Sequence, residues 1–325
     1  MNESDYAQSI GVLREMEKAL ISREQWQRAI DAPDVSEALR VMGGDYDFSS
    51  MRGPEAYEPV LQAKLKETYD KLYILCVQPE VVDILNLKYV FHNLKVLVKA
   101  SVSEYARQNS DAILSSVSAV KPSEVSEKGG APGYVMEAKR VMEEAFAVNR
   151  DPQAIDVAAD RLMFARMLEL AEGLKNEYIL RYVQMSIDLY NLTLLVRVRN
   201  MQKGPRFLQE SLLDGGLTDK ALMADAYDKP FDAIVVKSYY KYFGDAVRLA
   251  MEAFEKTKNF SELEKLTDNL LTTHIARAKF IAFGPEPLFA FIIARENEIR
   301  QIRIIITCKL NSIPEDTLRE RLRDI

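Results

Sequence analysis

Three segments of the chain share one pattern of polar and apolar residues, and this internal repeat limits the folds that the chain can adopt. The segments are KYVFHNLKVLVKA, SIDLYNLTLLVRV and ENEIRQIRIIITC, at residues 88–100, 186–198 and 296–308. Each has an amide near its centre, followed by one apolar, one polar and three apolar residues. The amides are Asn93, Asn191 and Gln301, separated by 98 (191 − 93) and 110 (301 − 191) residues. A period near 100 residues is too long for the short helical solenoids, so we expect three similar units related by a pseudo-threefold axis.

A second pair of segments keeps nearly the same spacing. DRLMFARMLELAEG begins at Asp160 and DNLLTTHIARAKFIAFG begins at Asp268, an offset of 108 residues (268 − 160). Few identities are shared, and chance similarity between amphipathic helices is the competing explanation. The agreement of the two offsets favours the repeat.

The first repeat segment has the periodicity of a helix. Its apolar residues recur at spacings of three and four and are Leu87, Val90, Phe91, Leu94, Leu97 and Val98. The opposite stripe is polar and contains Lys88, His92, Lys95 and Lys99. These spacings predict an amphipathic helix from about Pro79 to Tyr105, with the proline in its first turn.

The fold class follows from this periodicity and from the shortage of turn formers. The chain has only 13 Gly and 12 Pro among 325 residues, too few for the many tight turns of a sandwich or barrel. We therefore predict an all-α protein of three similar helical domains. Their expected bounds are 1–110, 111–204 and 205–325.

Charge and cysteine content exclude several classes of function. The 43 basic and 49 acidic residues give a net charge of −6, which offers no bulk attraction to nucleic acid. Two cysteines, Cys76 and Cys308, cannot form a disulfide framework, and both lie in apolar runs, so we expect buried thiols in a reducing cytoplasm. The longest apolar run, residues 288–294, is too short to span a bilayer, and no secretory signal is apparent. We expect a cytoplasmic protein, peripheral to any membrane.

The usual catalytic signatures are missing from the sequence. It has no phosphate-binding GxxxxGK[ST], no GxGxxG after a strand, no HExxH and no GxSxG. Its two histidines, His92 and His274, lack the carboxylate partners of a metal site. We therefore expect no catalytic residue, no metal and no cofactor in this chain.

Basic residues recur beside the central amides of the repeats. His92, Lys95 and Lys99 of the first copy align with Tyr190, Thr193 and Arg197 of the second and with Arg300, Arg303 and Thr307 of the third. One interpretation is a solvated helix face. The other is that the pseudo-threefold axis turns these positions toward one cationic cavity that accepts an acidic partner element. The candidate cavity residues are His92, Lys95, Lys99, Arg197, Arg300 and Arg303.

Two parts of the chain resemble a known family. The first is the helix LNLKYVFHNLKVLVKA, with an aromatic-x-N-L-K pattern formed by Phe91, Asn93, Leu94 and Lys95. The second is the C-terminal stretch from Phe283, where Gly284, Glu286 and Pro287 open a long helix that contains Glu296, Glu298, Ile299, Ile302 and Arg303 and ends in Lys309, Leu310 and Asn311. Together they resemble the C subunits of V-type and A-type ATPases, the counterparts of the eukaryotic d subunit.

This resemblance implies a fold, partners and a role. The fold is a funnel of three helical domains around a pseudo-threefold axis. The role is non-catalytic: one copy lies on the membrane rotor ring, receives the central-stalk subunits and transmits torque, and the six candidate residues then become a stalk-binding cavity. A helical scaffold or adaptor without a membrane ring is the main alternative, and a helical enzyme with an unrecognised site is the other.

Overall fold

The computed structural model describes residues 6–126, 129–230, 243 and 245–323, and these contain helices and no strand. The predicted all-α class is confirmed. Fifteen α-helices are described, numbered here in chain order: α1 Ala7–Glu17, α2 Arg23–Asp31, α3 Val35–Met42, α4 Glu58–Leu75, α5 Glu80–Val102, α6 Glu104–Ile113, α7 Gly133–Asn149, α8 Pro152–Leu174, α9 Glu177–Asn200, α10 Pro205–Ser211, α11 Lys220–Ala224, α12 Asp245–Thr257, α13 Phe260–Ile275, α14 Glu286–Leu310 and α15 Glu315–Arg321.

The predicted helix around the first repeat segment is α5. It begins one residue after Pro79 and stops at Val102, slightly before the expected end. Ser103 takes an extended conformation there, and its side chain accepts a hydrogen bond from the Ala106 N–H at the start of α6. A serine cap thus ends one helix and begins the next.

The described residues divide into two compact units. Unit one lies within Met1–Gln78 and Asp228–Ile325, so it is assembled from both ends of the chain, whereas unit two is the continuous stretch Pro79–Tyr227. The three-domain division, the pseudo-threefold axis and the funnel stay predictions.

Unit one is built around α14. This helix packs on α4, α3 and α1, and its side chains Phe289, Ile292 and Ile302 are almost fully buried. Helices α4 and α14 are antiparallel: Glu58 at the start of α4 bonds Arg303 late in α14, and Tyr69 later in α4 bonds Glu296 earlier in α14.

Unit two is built around α5, which packs most extensively on α8. Leu94 of α5 is 1% exposed, and the α8 residues Ile155 and Ala159 are fully buried. The apolar stripe predicted for α5 therefore forms core. The expected burial of the thiols is also confirmed, Cys76 in unit one and Cys308 in α14 being at most 6% exposed.

Candidate functional site

The central amide of each repeat segment forms two hydrogen bonds with the backbone of one residue later in the chain. In unit two, Asn93 Nδ2 donates to the Ser115 carbonyl (2.9 Å) and Asn93 Oδ1 accepts from the Ser115 N–H (2.8 Å). Asn191 of α9 makes the same two bonds with Leu213, at 2.9 and 2.8 Å. In each case the amide and its partner are 22 residues apart. We call this pair of bonds the amide clamp.

The third copy in unit one has the same clamp. Gln301 Nε2 donates to the Arg323 carbonyl (2.9 Å), and Gln301 Oε1 accepts from the Arg323 N–H (3.3 Å), again over 22 residues. Each clamp fastens the segment that follows a short helix, α6, α10 or α15, back onto a long helix, α5, α9 or α14. Both polar groups of a peptide are thereby satisfied by one side chain.

Burial repeats as well. The ten residues that begin at Asn191 and the ten that begin at Gln301 have the same order of buried, half-buried and exposed positions. All three segments share the amide clamp, and the second and third also share this order of burial, which favours the repeat over chance similarity.

Three of the candidate residues of unit two bind groups of their own unit. Lys95 Nζ lies 3.1 Å from Asp160 Oδ1 of α8. Lys99 Nζ lies 2.7 and 2.8 Å from the two carboxylate oxygens of Asp156 in the same helix. His92 Nε2 donates to the Ile113 carbonyl at 2.8 Å.

Arg197, the remaining candidate of unit two, is exposed near Tyr190. The Tyr190 hydroxyl donates to Asp160 Oδ2 at 2.9 Å, so Asp160 joins Lys95 and Tyr190. Burial and the Asp160 carboxylate raise the pKa of the Tyr190 phenol, which therefore stays protonated as a donor.

The candidate cations of unit one are also paired. Arg303 binds both carboxylate oxygens of Glu58 at 2.9 and 2.6 Å. Burial acts to raise the pKa of Glu58, but hydrogen bonds from Arg303 and Gln62 outweigh it and leave that pKa lowered. Arg300 Nη1 lies 2.6 Å from Asp268 Oδ2, which also accepts from Arg323 Nε at 2.9 Å.

Lys95 and Arg303 occupy equivalent positions, two residues after the clamp amide, and each binds a carboxylate of another helix. Their charge is balanced locally, and both connect helices. Sequence reasoning did not identify these carboxylate partners, Asp160 and Glu58. Asp160 and Asp268 begin the second aligned pair of segments, and they bind Tyr190 and Arg300, which occupy equivalent positions in the repeat. That correspondence is a sequence signal for Asp160, whereas nothing in the aligned segments indicates Glu58.

A buried ionic network in unit one was also missed. Arg295 of α14, 2% exposed, binds Asp45 (2.6 Å) and Glu298, and Glu298 accepts from the Tyr46 hydroxyl and the Ile21 N–H, both at 2.6 Å. Burial raises the pKa of Glu298 despite the opposing Arg295 charge and the two donors. The network ties α14 to the segments that hold Ile21 and Tyr46.

A second buried carboxyl group fastens a loop in unit two. Asp188 of α9, 1% exposed, accepts from the Thr218 N–H (3.2 Å), the Leu217 N–H (3.1 Å) and the Thr218 hydroxyl (3.3 Å). A Cβ at Gly216 would collide with Asp188 Oδ1, so this turn requires glycine. Burial raises the pKa of Asp188 to about 6 against the opposing donors.

Neither metal ligation nor a bilayer span is apparent in the part of the chain that the structure describes. No group of three or more His, Cys, Asp and Glu side chains there could hold a metal ion. None of the helices described is both long and apolar enough to cross a membrane.

The fold and these contacts define a class of protein. It is an all-α protein in which clamps and ion pairs join long helices to the segments around them. The chain belongs to the ATP synthase (C/AC39) subunit family, whose sequence model matches residues 9–321.

Curated relatives support this family membership over most of the chain. It is 25% identical to the C subunit of a V-type sodium ATPase of Enterococcus hirae, with 99% of each chain covered. It is 21% identical to the C subunit of an A-type ATP synthase of Methanocaldococcus jannaschii, with 98% of this chain and 86% of the relative covered. It is also 25% identical to the C subunit of an A-type ATP synthase of Desulfurococcus, over 49% of this chain and 44% of the relative.

The resemblance to the C subunits of V-type and A-type ATPases is therefore confirmed. As a member of this family, the chain is a structural, non-catalytic subunit, and its partners are other subunits of such a complex. This membership supports neither an unrelated scaffold nor a helical enzyme.

Proposed function

We propose that this chain links the central-stalk subunits of a V-type or A-type ATPase to its membrane rotor ring and transmits torque between ATP turnover and ion translocation. The observation that carries the proposal, beside the family, is the set of three amide clamps. A part that transmits torque must resist twisting, and each clamp fixes the segment after a short helix to a long helix through two hydrogen bonds. Close packing of the helices adds stiffness.

The six candidate residues are proposed to bind the stalk. They are His92, Lys95, Lys99, Arg197, Arg300 and Arg303. Because Lys95 and Arg303 are each paired with a carboxylate of another helix, the stalk would meet ion pairs, with cations and anions both in reach. Their role in binding must therefore be separated from their role in holding helices together.

The experiment reconstitutes the ATPase from purified subunits in vesicles, with and without this chain. Without it, we expect the stalk to separate from the ring, the catalytic head to continue hydrolysing ATP, and ATP-driven ion transport to be lost. Retention of the stalk on the ring and full transport in the absence of the chain would contradict the proposed function.

Two double variants that break the same two ion pairs test the candidate residues in the same assay. Lys95→Met with Arg303→Met removes two cations, whereas Asp160→Asn with Glu58→Gln breaks the same two ion pairs and keeps the cations. If the cations bind the stalk, the first should weaken stalk binding about tenfold and the second should not weaken it. Equal binding by both double variants would show that these residues only hold the helices together.

A further inference from the structure

The segment between α13 and α14, residues 276–283, exposes two aromatic side chains beside two cations. It consists of the 3-10 turn Ala276–Phe280 and the three residues after it. Phe280 is 81% exposed and Phe283 is 48% exposed. Arg277 and Lys279 are also exposed, while Ala278, 3% exposed, packs inward. The turn is thus anchored by its middle residue, and its flanking side chains face solvent.

The two cations of the segment have no carboxylate partner among the residues that the structure describes. No Asp or Glu occurs anywhere in 269–285, in a chain with 49 acidic residues. Neither Arg277 nor Lys279 forms an ion pair with any residue that the structure describes, and Lys279 Nζ lies 4.9 Å from the centre of the Phe280 ring. Glu17 lines the same groove as Lys279, but Arg14 Nη1 lies 2.8 and 2.7 Å from its two oxygens. The segment therefore carries uncompensated positive charge.

More apolar surface lies at the same end of unit one. Helices α4 and α14 are antiparallel, so the C-terminal end of α4 lies on the side where α14 begins, directly after the segment. Ile74, near that end of α4, is 84% exposed, and Val77 just beyond it is 44% exposed. Single exposed apolar side chains are common, but four at one end of a unit indicate an interaction surface.

We propose that the segment 276–283 binds the surface of an anionic phospholipid bilayer. Phe280 and Phe283 enter the headgroup region, where exposed aromatic rings are favoured, and Arg277 and Lys279 lie against lipid phosphates. An exposed turn that has two cations and no acidic residue suits a surface that is uniformly negative. The inference goes beyond the proposed function, since it concerns the isolated chain and lipid alone.

The test is sedimentation of the purified full chain with sucrose-loaded vesicles. One set contains equal parts of phosphatidylglycerol and phosphatidylcholine, and the other contains phosphatidylcholine only. We expect binding to the anionic set that weakens at high salt. Phe280→Ser should lower the partition coefficient about tenfold, and Arg277→Gln with Lys279→Gln should lower it about thirtyfold.

Matched controls use the same unit. Lys66→Gln with Lys71→Gln removes two α4 cations that are paired with Asp70 and Glu67, and Leu249→Ser removes a leucine that is 56% exposed on α12. Both controls should stay within about twofold of wild type. Thermal melting of every variant checks that the fold is retained.

Three results would overturn the proposal. The first is equal or absent binding to the two vesicle sets. The second is a fall in vesicle binding in the Lys66 and Lys71 control that is as large as the fall in the Arg277 and Lys279 variant. The third is a Phe280→Ser chain that binds anionic vesicles normally but no longer assembles with the other ATPase subunits, which would assign the surface to a protein partner. The first two results leave the reconstitution that tests torque coupling unaffected. The third would locate a subunit contact at this segment without contradicting torque coupling, so the two proposals fail independently.

Discussion

Asp188 shows how one buried carboxyl group can set a pH dependence. It lies in α9, accepts three hydrogen bonds from Leu217 and Thr218, and is almost fully buried. Its pKa is about 6 in the folded chain, against an ordinary value of 3.8. The folded state therefore binds the Asp188 proton more tightly than the unfolded state does, so protonation favours folding.

The free energy of unfolding should therefore fall as the pH rises. The contribution of the Asp188 proton to the free energy of unfolding is complete below about pH 4 and is lost as the pH rises through 6, a fall of about 3 kcal/mol. Asp188→Asn cannot titrate, so urea unfolding of wild type and variant from pH 4 to 7 should give a difference that falls with pH. Thr193→Val, which removes no titratable group from the same helix, is the control and should give a flat difference. Parallel curves for wild type and Asp188→Asn would contradict the assignment.

At the scale of elements, the amide clamps give the sequence repeat a structural role, because each one fastens a segment to a long helix. Each clamp satisfies one N–H and one C=O of a segment that has left its short helix, and such groups are costly to bury without partners. The Asn191 bonds are fully buried, whereas those of Asn93 and Gln301 are only partly buried. Water can replace a lost side chain at the partly buried clamps but not at Asn191.

This difference in burial predicts a ranking of variants. Asn191→Leu should lower the free energy of unfolding by about 2–5 kcal/mol, and Asn93→Leu and Gln301→Leu should lower it less. Amide hydrogen exchange at Leu213 should accelerate in the Asn191 variant. Thr193→Val on the same helix removes only a bond to the Leu189 carbonyl and should cost less than about 1 kcal/mol. Equal losses at all three clamps would contradict the role of burial.

Local pattern was enough to predict the all-α class, helix α5 and the three repeat amides. Apolar spacing predicts α5 because one helix face must be buried, and this requirement acts over a few residues. The pairings Lys95–Asp160 and Arg303–Glu58 join residues 65 and 245 positions apart, so they depend on packing that no local pattern encodes. The Arg295 network depends on a contact with Asp45 over 250 residues and was missed for the same reason. Whether the six candidate residues bind a partner stays a prediction.

At the scale of the whole molecule, the two units differ in how the chain builds them. Unit two is one continuous stretch with its own core, clamps and ion pairs, whereas unit one needs both ends of the chain. We therefore expect residues 79–227 to fold when expressed alone, with a helical circular dichroism spectrum and cooperative unfolding.

The complementary truncation supplies the control. A chain that ends at residue 227 lacks α14 and therefore loses Arg303, which binds Glu58, and Arg295, which binds Asp45. In that chain, amides of α4 should exchange rapidly while those of α5 and α9 stay protected. A fragment 79–227 without cooperative unfolding would show that unit two is not autonomous.

The split construction of unit one has a consequence during translation. Glu58 leaves the ribosome 245 residues before Arg303, its partner, is added. At a typical elongation rate this delay is about 12–50 s. Through that interval the nascent α1–α4 segment carries uncovered apolar side chains while the insert between them and α14 is still emerging. Chaperone capture of this early segment, rather than the speed of helix formation, would then govern the yield of native chain.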